Sequence, residues 1–147
     1  MESPMSTTEG SAAIAFPSQP WESHTARFTA HRDASAAVVT ASGELDASNA
    51  NQLADYVARC AGHSKSLVVD LSGVEFFGTA GFSALHTINV RCAGADVRWA
   101  VVPSHAVSRL LRICDPDKTL PIAESVAEGL ADNDEPRRLL QLIAQSR

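Results

Sequence analysis

The stretch that most restricts the fold is the apolar run Leu67–Leu71, with the sequence Leu-Val-Val-Asp-Leu. Runs of this kind are typical of strands that are covered on both faces, whereas strands with one solvated face alternate apolar and polar residues. The extended path continues over Val74–Phe77 to Gly78, and a helix is predicted from Thr79 to about Ala93, ended by Gly94. A buried strand that leads into a helix is the unit of a parallel sheet, so the sequence predicts an α/β fold.

The segments before this run predict a hairpin and a helix. Phe28–His31 and Ala37–Ser42 are strand candidates that could pair through residues 32–35. Asp46 or Ser48 can then cap a helix, and Gly62 lies where its C-cap glycine belongs. Apolar residues at helical spacing mark the buried stripe of that helix: Ala50, Leu53, Ala54, Val57, Cys60 and Ala61.

The segments after the run continue the alternation of strands and helices. Val97–Val102 is a strand candidate, and Ser104 can cap a third helix with a core stripe at Val107, Leu110, Leu111 and Cys114. Leu120–Ile122 is a short edge-strand candidate, because proline suits a sheet edge. The whole pattern predicts an α/β sandwich with a mixed sheet, made of an initial hairpin and then mainly parallel strands, with helices packed against it.

The two ends of the chain differ from this body. Residues 1–22 are rich in Ser, Thr and Pro and are predicted to form a flexible N-terminal tail, although Phe16 and Trp21 could dock on the body. The domain is assigned to residues 23–131. Residues 132–147 are predicted to form a C-terminal helix or tail, with Pro136 in a first helical turn.

Composition excludes several classes of protein. The chain of 147 residues has a net charge of -5 and no Lys/Arg cluster beyond Arg137 and Arg138, which argues against a nucleic-acid partner. Three widely spaced cysteines, Cys60, Cys92 and Cys114, indicate neither a disulfide framework nor a zinc site. They are interpreted as buried hydrophobic residues, with a redox-controlled disulfide as the minor alternative. Without a spanning apolar stretch or a signal peptide, the expected location is the cytoplasm, with no membrane insertion.

Enzyme motifs are incomplete in this sequence. Gly73 and Gly78 have the spacing of a P-loop, but Thr79 and Ala80 follow where Lys and Ser or Thr are needed. The segment from Gly81 begins like a nucleophile elbow and lacks its closing glycine. We therefore expect no catalytic residue, no metal, no cofactor and no enzymatic activity.

The predicted start of the helix at Thr79 is the candidate site. The first N–H groups of a helix lack partners within it, and the helix dipole adds partial positive charge, so such an end accommodates an anion. Thr79 places a hydroxyl there, between Gly78 and Gly81. Two interpretations of Thr79 stay open, a phosphoacceptor or a plain N-cap. Phe82 is either a core residue, which is favoured, or an exposed anchor.

Three motifs in order carry a family resemblance: Gly43-Glu44-Leu45-Asp46, then Val68–Val74, then Phe76–Gly81. Together they resemble the STAS domain of anti-sigma factor antagonists, over roughly residues 27–130. That family usually has Asp-Ser-Ser/Thr-Gly at the last motif, and its first Ser is phosphorylated. Thr79 stands at the phosphoacceptor position here, while Gly78 replaces the Asp and Ala80 replaces the second hydroxyl.

The resemblance implies a function in partner switching. The unmodified domain would bind an anti-sigma factor with an ATP-binding kinase fold and so release a sigma factor. Its docking surface would be Gly78, Thr79, Ala80, Gly81 and Phe82, switched by phosphorylation of Thr79. The alternative is a STAS-type accessory subunit of a stress-signalling complex or of a lipid-transport ATPase. The oligomeric state and the particular anti-sigma factor do not follow from the sequence.

Overall fold

The computed structural model describes residues 16, 17 and 19–133. Its sheet has five strands in the order β1-β2-β3-β4-β5. The strands are β1 (Trp21–Glu22), β2 (Ala26–Asp33), β3 (Ala36–Leu45), β4 (Ser66–Phe77) and β5 (Arg98–Val102). The helices are α1 (Ala50–Ala61), α2 (Thr79–Ala95), α3 (His105–Cys114) and α4 (Val126–Asn133).

The sheet is mixed, as predicted. β1, β2 and β3 are antiparallel neighbours, and β4 runs parallel to both β3 and β5. The hairpin closes through two residues, because Asp33 pairs with Ala36, and Ala34 adopts a left-handed φ of 58°. The predicted fold class is confirmed.

The two faces of the sheet explain the apolar run in β4. Val69 lies in the main core with side chains from α1, α2 and α3. Val68 points to the other face and packs with Ala100 and Val102 against α4. Both neighbouring positions of the strand are therefore buried, so no polar alternation is possible there.

Helix α4 was not foreseen from the sequence. Gly129 lies in its middle, and glycine is a poor helix former. A Cβ at Gly129 would lie 3.0 Å from Cγ2 of Val68, so the glycine lets α4 approach the sheet closely. The C-terminal segment from residue 134, which includes the helical turn predicted at Pro136, and the tail over residues 1–15 lie outside the described residues.

Several predicted helix ends are corrected. Asn49 occupies the N-cap position of α1, so the assignment of the cap to Asp46 or Ser48 is wrong. Helix α2 continues past Gly94 to Ala95, and the left-handed residue at its C-cap is Asp96, with a φ of 58°. Three other ends agree with prediction. Helix α2 begins at Thr79. Gly62 is the C-cap of α1, and the Ser104 hydroxyl caps α3 by accepting from the Val107 N–H at 3.1 Å.

The described residues before residue 23 pack on the domain, as the sequence allowed for Phe16 and Trp21. Phe16 lies against the main core. The Trp21 ring stacks on Phe28 with a centroid distance of 4.6 Å, and β1 pairs with β2. The Tyr56 hydroxyl donates to the Gln19 carbonyl at 3.1 Å. The expectation of a loose tail is therefore wrong for Phe16 and for residues 19–22. At the opposite edge, the predicted strand Leu120–Ile122 is reduced to one parallel bridge between Ile122 and Val101.

The cysteines differ in their surroundings. Cys60 and Cys92 are buried in the main core, and burial raises the pKa of Cys60 to about 12 and that of Cys92 to about 11. Cys114, at the end of α3, is partly exposed. The interpretation as buried hydrophobic residues therefore holds for Cys60 and Cys92 and only partly for Cys114.

These environments predict unequal reactivity, because only the thiolate is the nucleophile. Of the three cysteines, we expect Cys114 alone to react rapidly with an aromatic disulfide reagent at pH 8. Cys60 and Cys92 should react only after denaturant is added. A Cys114→Ser variant with no rapidly reacting thiol is the control, and rapid reaction of all the thiols in the native protein would contradict the packing.

Candidate functional site

The carboxyl ends of β3 and β4 bring two of the sequence motifs together. Leu45 pairs with Phe77 in the parallel register, and the Gly78 N–H donates to the Leu45 carbonyl at 3.0 Å. The loop after Leu45 and the start of α2 therefore lie side by side. Functional side chains in parallel sheets commonly lie at this edge.

Thr79 is the first residue of α2 and is exposed. Gly78 holds the N-cap position in an extended conformation, with φ -91° and ψ 179°. The interpretation of Thr79 as the N-cap is therefore wrong. Within the described residues the Thr79 hydroxyl has no hydrogen-bond partner. It is presented to solvent at the positively polarised end of the helix.

Gly81 has a packing role beneath this tip. It is buried, and a Cβ at Gly81 would lie 2.5 Å from Cε1 of the buried Phe77 ring. Gly81 therefore lets the first turn of α2 lie on Phe77, and it positions Thr79 rather than offering a surface of its own. Gly78 is different, because a Cβ there would make only ordinary contacts, with the Phe76 ring at 3.4 Å and the Leu45 carbonyl oxygen at 3.8 Å. The backbone would thus accept the Asp that the family pattern has at Gly78.

Replacing glycine by alanine should change the stability of the domain in opposite directions at two positions of α2. Gly81→Ala gains about 1 kcal/mol of helix propensity and loses about 1–3 kcal/mol to overpacking. We expect net destabilisation by up to about 2 kcal/mol. Gly94→Ala should stabilise by about 0.5–1 kcal/mol, because nothing lies within 4 Å of a Cβ there. Urea unfolding measures both, and an equal effect at the two positions would refute the contact with Phe77.

Asn49 holds the loop that adjoins Gly78, a role that the sequence analysis missed. Its side chain is 1% exposed. The side-chain amide donates to the Glu44 carbonyl at 2.8 Å, and its oxygen accepts from the Asp46 N–H at 3.0 Å. Both partners are backbone groups, so no pattern of side chains in the sequence predicts these hydrogen bonds. The only available signal was the preference of asparagine for helix N-caps.

Asp46 places a negative charge at the rim of the site. Its carboxylate accepts from the Ser48 hydroxyl at 2.6 Å and from the Ser48 N–H at 2.9 Å. These two hydrogen bonds lower the pKa of Asp46, so it is ionised at neutral pH.

Replacing Asn49 tests this loop. Asn49→Ala leaves the Glu44 carbonyl and the Asp46 N–H without their partner in a buried setting, and we expect a loss of about 2–3 kcal/mol in the free energy of unfolding. The control Ser48→Ala removes an exposed hydroxyl and should cost under about 1 kcal/mol. Equal losses in urea unfolding would show that Asn49 does not hold the loop.

The other predicted docking residues lie around Thr79 with less exposure. Ala80 and Phe82 are half-buried and pack against the main core. Phe76, which the sequence analysis did not single out, is 51% exposed beside Gly78. His86 on α2 is exposed. In the described part of the chain, no three His, Cys, Asp or Glu side chains are grouped as a metal site would require.

Comparison with protein families identifies this arrangement. The sequence profile of the STAS domain matches residues 27–129. The chain belongs to the STAS domain family. The matched region runs from β2 into α4 and includes both motifs that meet at Gly78, so the resemblance inferred from the motifs is confirmed.

Three proteins similar to this STAS domain come from mycobacteria. Osmosensory protein A of Mycobacterium tuberculosis is 39% identical over 119 residues, covering 76% of this chain and 75% of that protein. Anti-sigma-F factor antagonist RsfA of the same species is 33% identical over 106 residues, covering 69% of this chain and 81% of that protein. The crystal structure of an anti-sigma factor antagonist from Mycobacterium paratuberculosis superposes with a TM-score of 0.68 at 26% identity, covering 75% of this chain and 95% of that one.

One further structural finding concerns the helices of this STAS domain. In the part of the chain that the structure describes, no helix combines the length and the apolar character needed to cross a membrane.

Proposed function

We propose that this STAS domain is an anti-sigma factor antagonist, which binds an anti-sigma factor with an ATP-binding kinase fold and so frees a sigma factor. One protein of similar sequence and one of similar structure are both named anti-sigma factor antagonists, which supports an anti-sigma factor as the partner. The observation that carries the proposal is the exposed Thr79 hydroxyl at the start of α2. The proposed role is non-catalytic and cytoplasmic.

Charge at Thr79 provides the switch in this proposal. Phosphorylation adds a charge of about -1.5 to -2. The start of α2 tolerates an anion in the free domain. An interface fitted to a neutral hydroxyl does not, because the new charge must lose its water without a counter-charge.

The kinase step of this proposal has its own test. The chain is incubated with ATP and the kinase-fold anti-sigma factors of the source genome, and the modified site is mapped by mass spectrometry. Phosphate on Thr79 and its loss in Thr79→Val are the expected results. Phosphate at another residue, or no phosphate, would overturn the kinase step. Antagonism by the unmodified chain would then be tested by the release of a sigma factor alone.

Release of a sigma factor tests the proposed function itself. Each anti-sigma factor of the source genome is purified as a complex with its sigma factor, and this STAS domain is added in excess. Free sigma factor in gel filtration, together with a new complex of this chain and the anti-sigma factor, is expected for at least one pair. Intact sigma complexes throughout the set would overturn the function.

A second candidate function is supported by one observation, the 39% identity with Osmosensory protein A. It is membership of a stress-signalling complex, which would use the same surface. If cross-linking in osmotically stressed cells captures a multi-protein assembly that holds no anti-sigma factor, this second function replaces the first.

A further inference from the structure

The start of α2 is too small to be a whole interface. Specific protein complexes bury about 800 Å² on each partner. The tip offers Thr79 together with the half-buried Gly78, Ala80 and Phe82. A partner that recognises Thr79 must therefore also cover neighbouring surface, and the exposed side chains around the tip indicate where.

A groove beside the tip has the required character. It lies between the end of β4 and helix α3 and has a volume of about 200 Å³. Small-molecule pockets usually measure about 300–1,000 Å³, so the groove suits an inserted side chain better than a free ligand. We call it the α3 groove, and it is lined by Glu75, Phe76, Phe77, Ala106, Arg109, Leu110 and Ile113.

The α3 groove exposes more apolar surface than folding alone explains. Ile113 is 75% exposed and Phe76 is 51% exposed. They are two of only four large apolar residues that the described part of the chain leaves exposed, the others being Val90 and Ile122. Large apolar side chains grouped around a concave surface commonly mark a protein interaction site.

Charge around the α3 groove favours an acidic partner segment. Helix α3 has no acidic residue, and its exposed Arg109 lines the groove, in a chain whose net charge is -5. Glu75 is the acidic residue of the groove lining, on its β4 side. A segment that inserts an apolar side chain and places a carboxylate towards α3 would match both features.

The groove is continuous with the start of α2. Phe76 lines the groove and also lies next to Gly78, the cap of α2. A single partner element can therefore contact Thr79 and the groove together. We propose that the α3 groove is a second docking region for the anti-sigma factor and takes an amphipathic, acidic segment of that protein. This inference rests on the proposed function.

Two substitutions test the groove, using the full chain and the anti-sigma factor that binds it in the release assay. Ile113→Ser should weaken binding by about tenfold or more, as expected for an apolar anchor. Arg109→Glu should weaken it by about tenfold at low salt, mainly through the association rate, with a smaller effect at high salt. Surface plasmon resonance at two salt concentrations measures both effects.

Matched controls lie elsewhere on the same domain. Val90 is 58% exposed on α2 and is not among the groove residues, so Val90→Ser tests the loss of an exposed apolar side chain. Arg98 begins β5 at the opposite end of the sheet from Phe77, so Arg98→Glu tests the charge reversal alone. Both variants should bind within twofold of wild type, and all four should keep the wild-type melting temperature.

The possible outcomes distinguish failure of the groove proposal from failure of the proposed function. If Thr79→Glu abolishes binding while Ile113→Ser and Arg109→Glu bind like wild type, the groove proposal is overturned and the function stands. If wild type binds no anti-sigma factor, the function fails and the groove proposal fails with it. If Ile113→Ser instead converts a dimer of the chain to a monomer in gel filtration, the occupant is a second copy and the proposal is overturned.

Discussion

Thr79→Glu is expected to weaken the complex with the anti-sigma factor by about 100-fold or more, while the domain stays folded. A charge buried at an interface without a counter-charge costs about 3–5 kcal/mol, and 100-fold corresponds to about 2.7 kcal/mol. The fold should not suffer, because Thr79 is exposed and Gly78, rather than Thr79, caps α2. A carboxylate in the first turn should even stabilise the helix slightly. Isothermal titration calorimetry and thermal unfolding measure the two effects.

Two controls separate charge from shape at Thr79. Thr79→Val keeps the shape and removes the hydroxyl, so it should bind within about tenfold of wild type, since one neutral hydrogen bond contributes about 0.5–1.5 kcal/mol. Ala93→Glu adds the same charge at an exposed position of the same helix, about 21 Å further along its axis. It should bind like wild type. Equal losses for Thr79→Glu and Ala93→Glu would mean that overall charge, rather than position, decides binding.

Gly43→Ala should be among the most damaging single substitutions in the domain. Gly43 has a φ of 97°, and a Cβ there would lie 2.1 Å from the Thr25 carbonyl oxygen. That oxygen accepts from the Glu44 N–H at 2.8 Å, so the strands cannot separate without losing the bond. We expect a loss of about 3 kcal/mol or more, a large part of the 5–15 kcal/mol that stabilises an ordinary domain.

The consequence should extend to the functional site, because β3 ends at Leu45, whose carbonyl binds the Gly78 N–H. Binding to the anti-sigma factor should weaken in proportion to the unfolded fraction, or more if the end of β3 shifts. Gly62→Ala is the control, since the nearest contact of a Cβ there is 3.7 Å and its φ is -66°. Urea unfolding that gave Gly43→Ala the stability of Gly62→Ala would contradict the register of β2 and β3.

The fold was predictable where one local signal decided the outcome. The apolar run Leu67–Leu71 predicted a doubly covered strand, because burial on both faces removes polar alternation. Ser104 predicted the start of α3 because serine is a strong cap and an apolar stripe follows it. The meeting of the two motifs at Gly78 followed from the parallel sheet, since parallel strands end at the same edge.

Other features depended on tertiary contacts that the sequence does not display. Helix α4 contains Gly129, whose poor helix propensity is outweighed by close packing on Val68. Strand β1 has only two residues, and it depends on pairing with the edge of β2 and on the stacking of Trp21 on Phe28.

The candidate site likewise contains residues that the sequence could predict and residues that it could not. Thr79 was recognisable as a candidate residue. Its role depended on whether it is the N-cap or the first residue of the helix, and that is decided by backbone angles. The role of Asn49 and the exposure of Phe76 were not recognisable. Both depend on how the loop after Leu45 packs beside the start of α2.

Amide hydrogen exchange of the domain, alone and in complex with its anti-sigma factor, is the most direct measurement of where the partner docks. We expect slower exchange on binding in the segment from Phe76 to Leu85 and in the Asp46–Asn49 loop. Amides of α4, on the opposite face of the sheet, should exchange at an unchanged rate. Protection confined to α4, with the start of α2 exchanging as in the free protein, would show that the partner binds elsewhere and that Thr79 is not the contact.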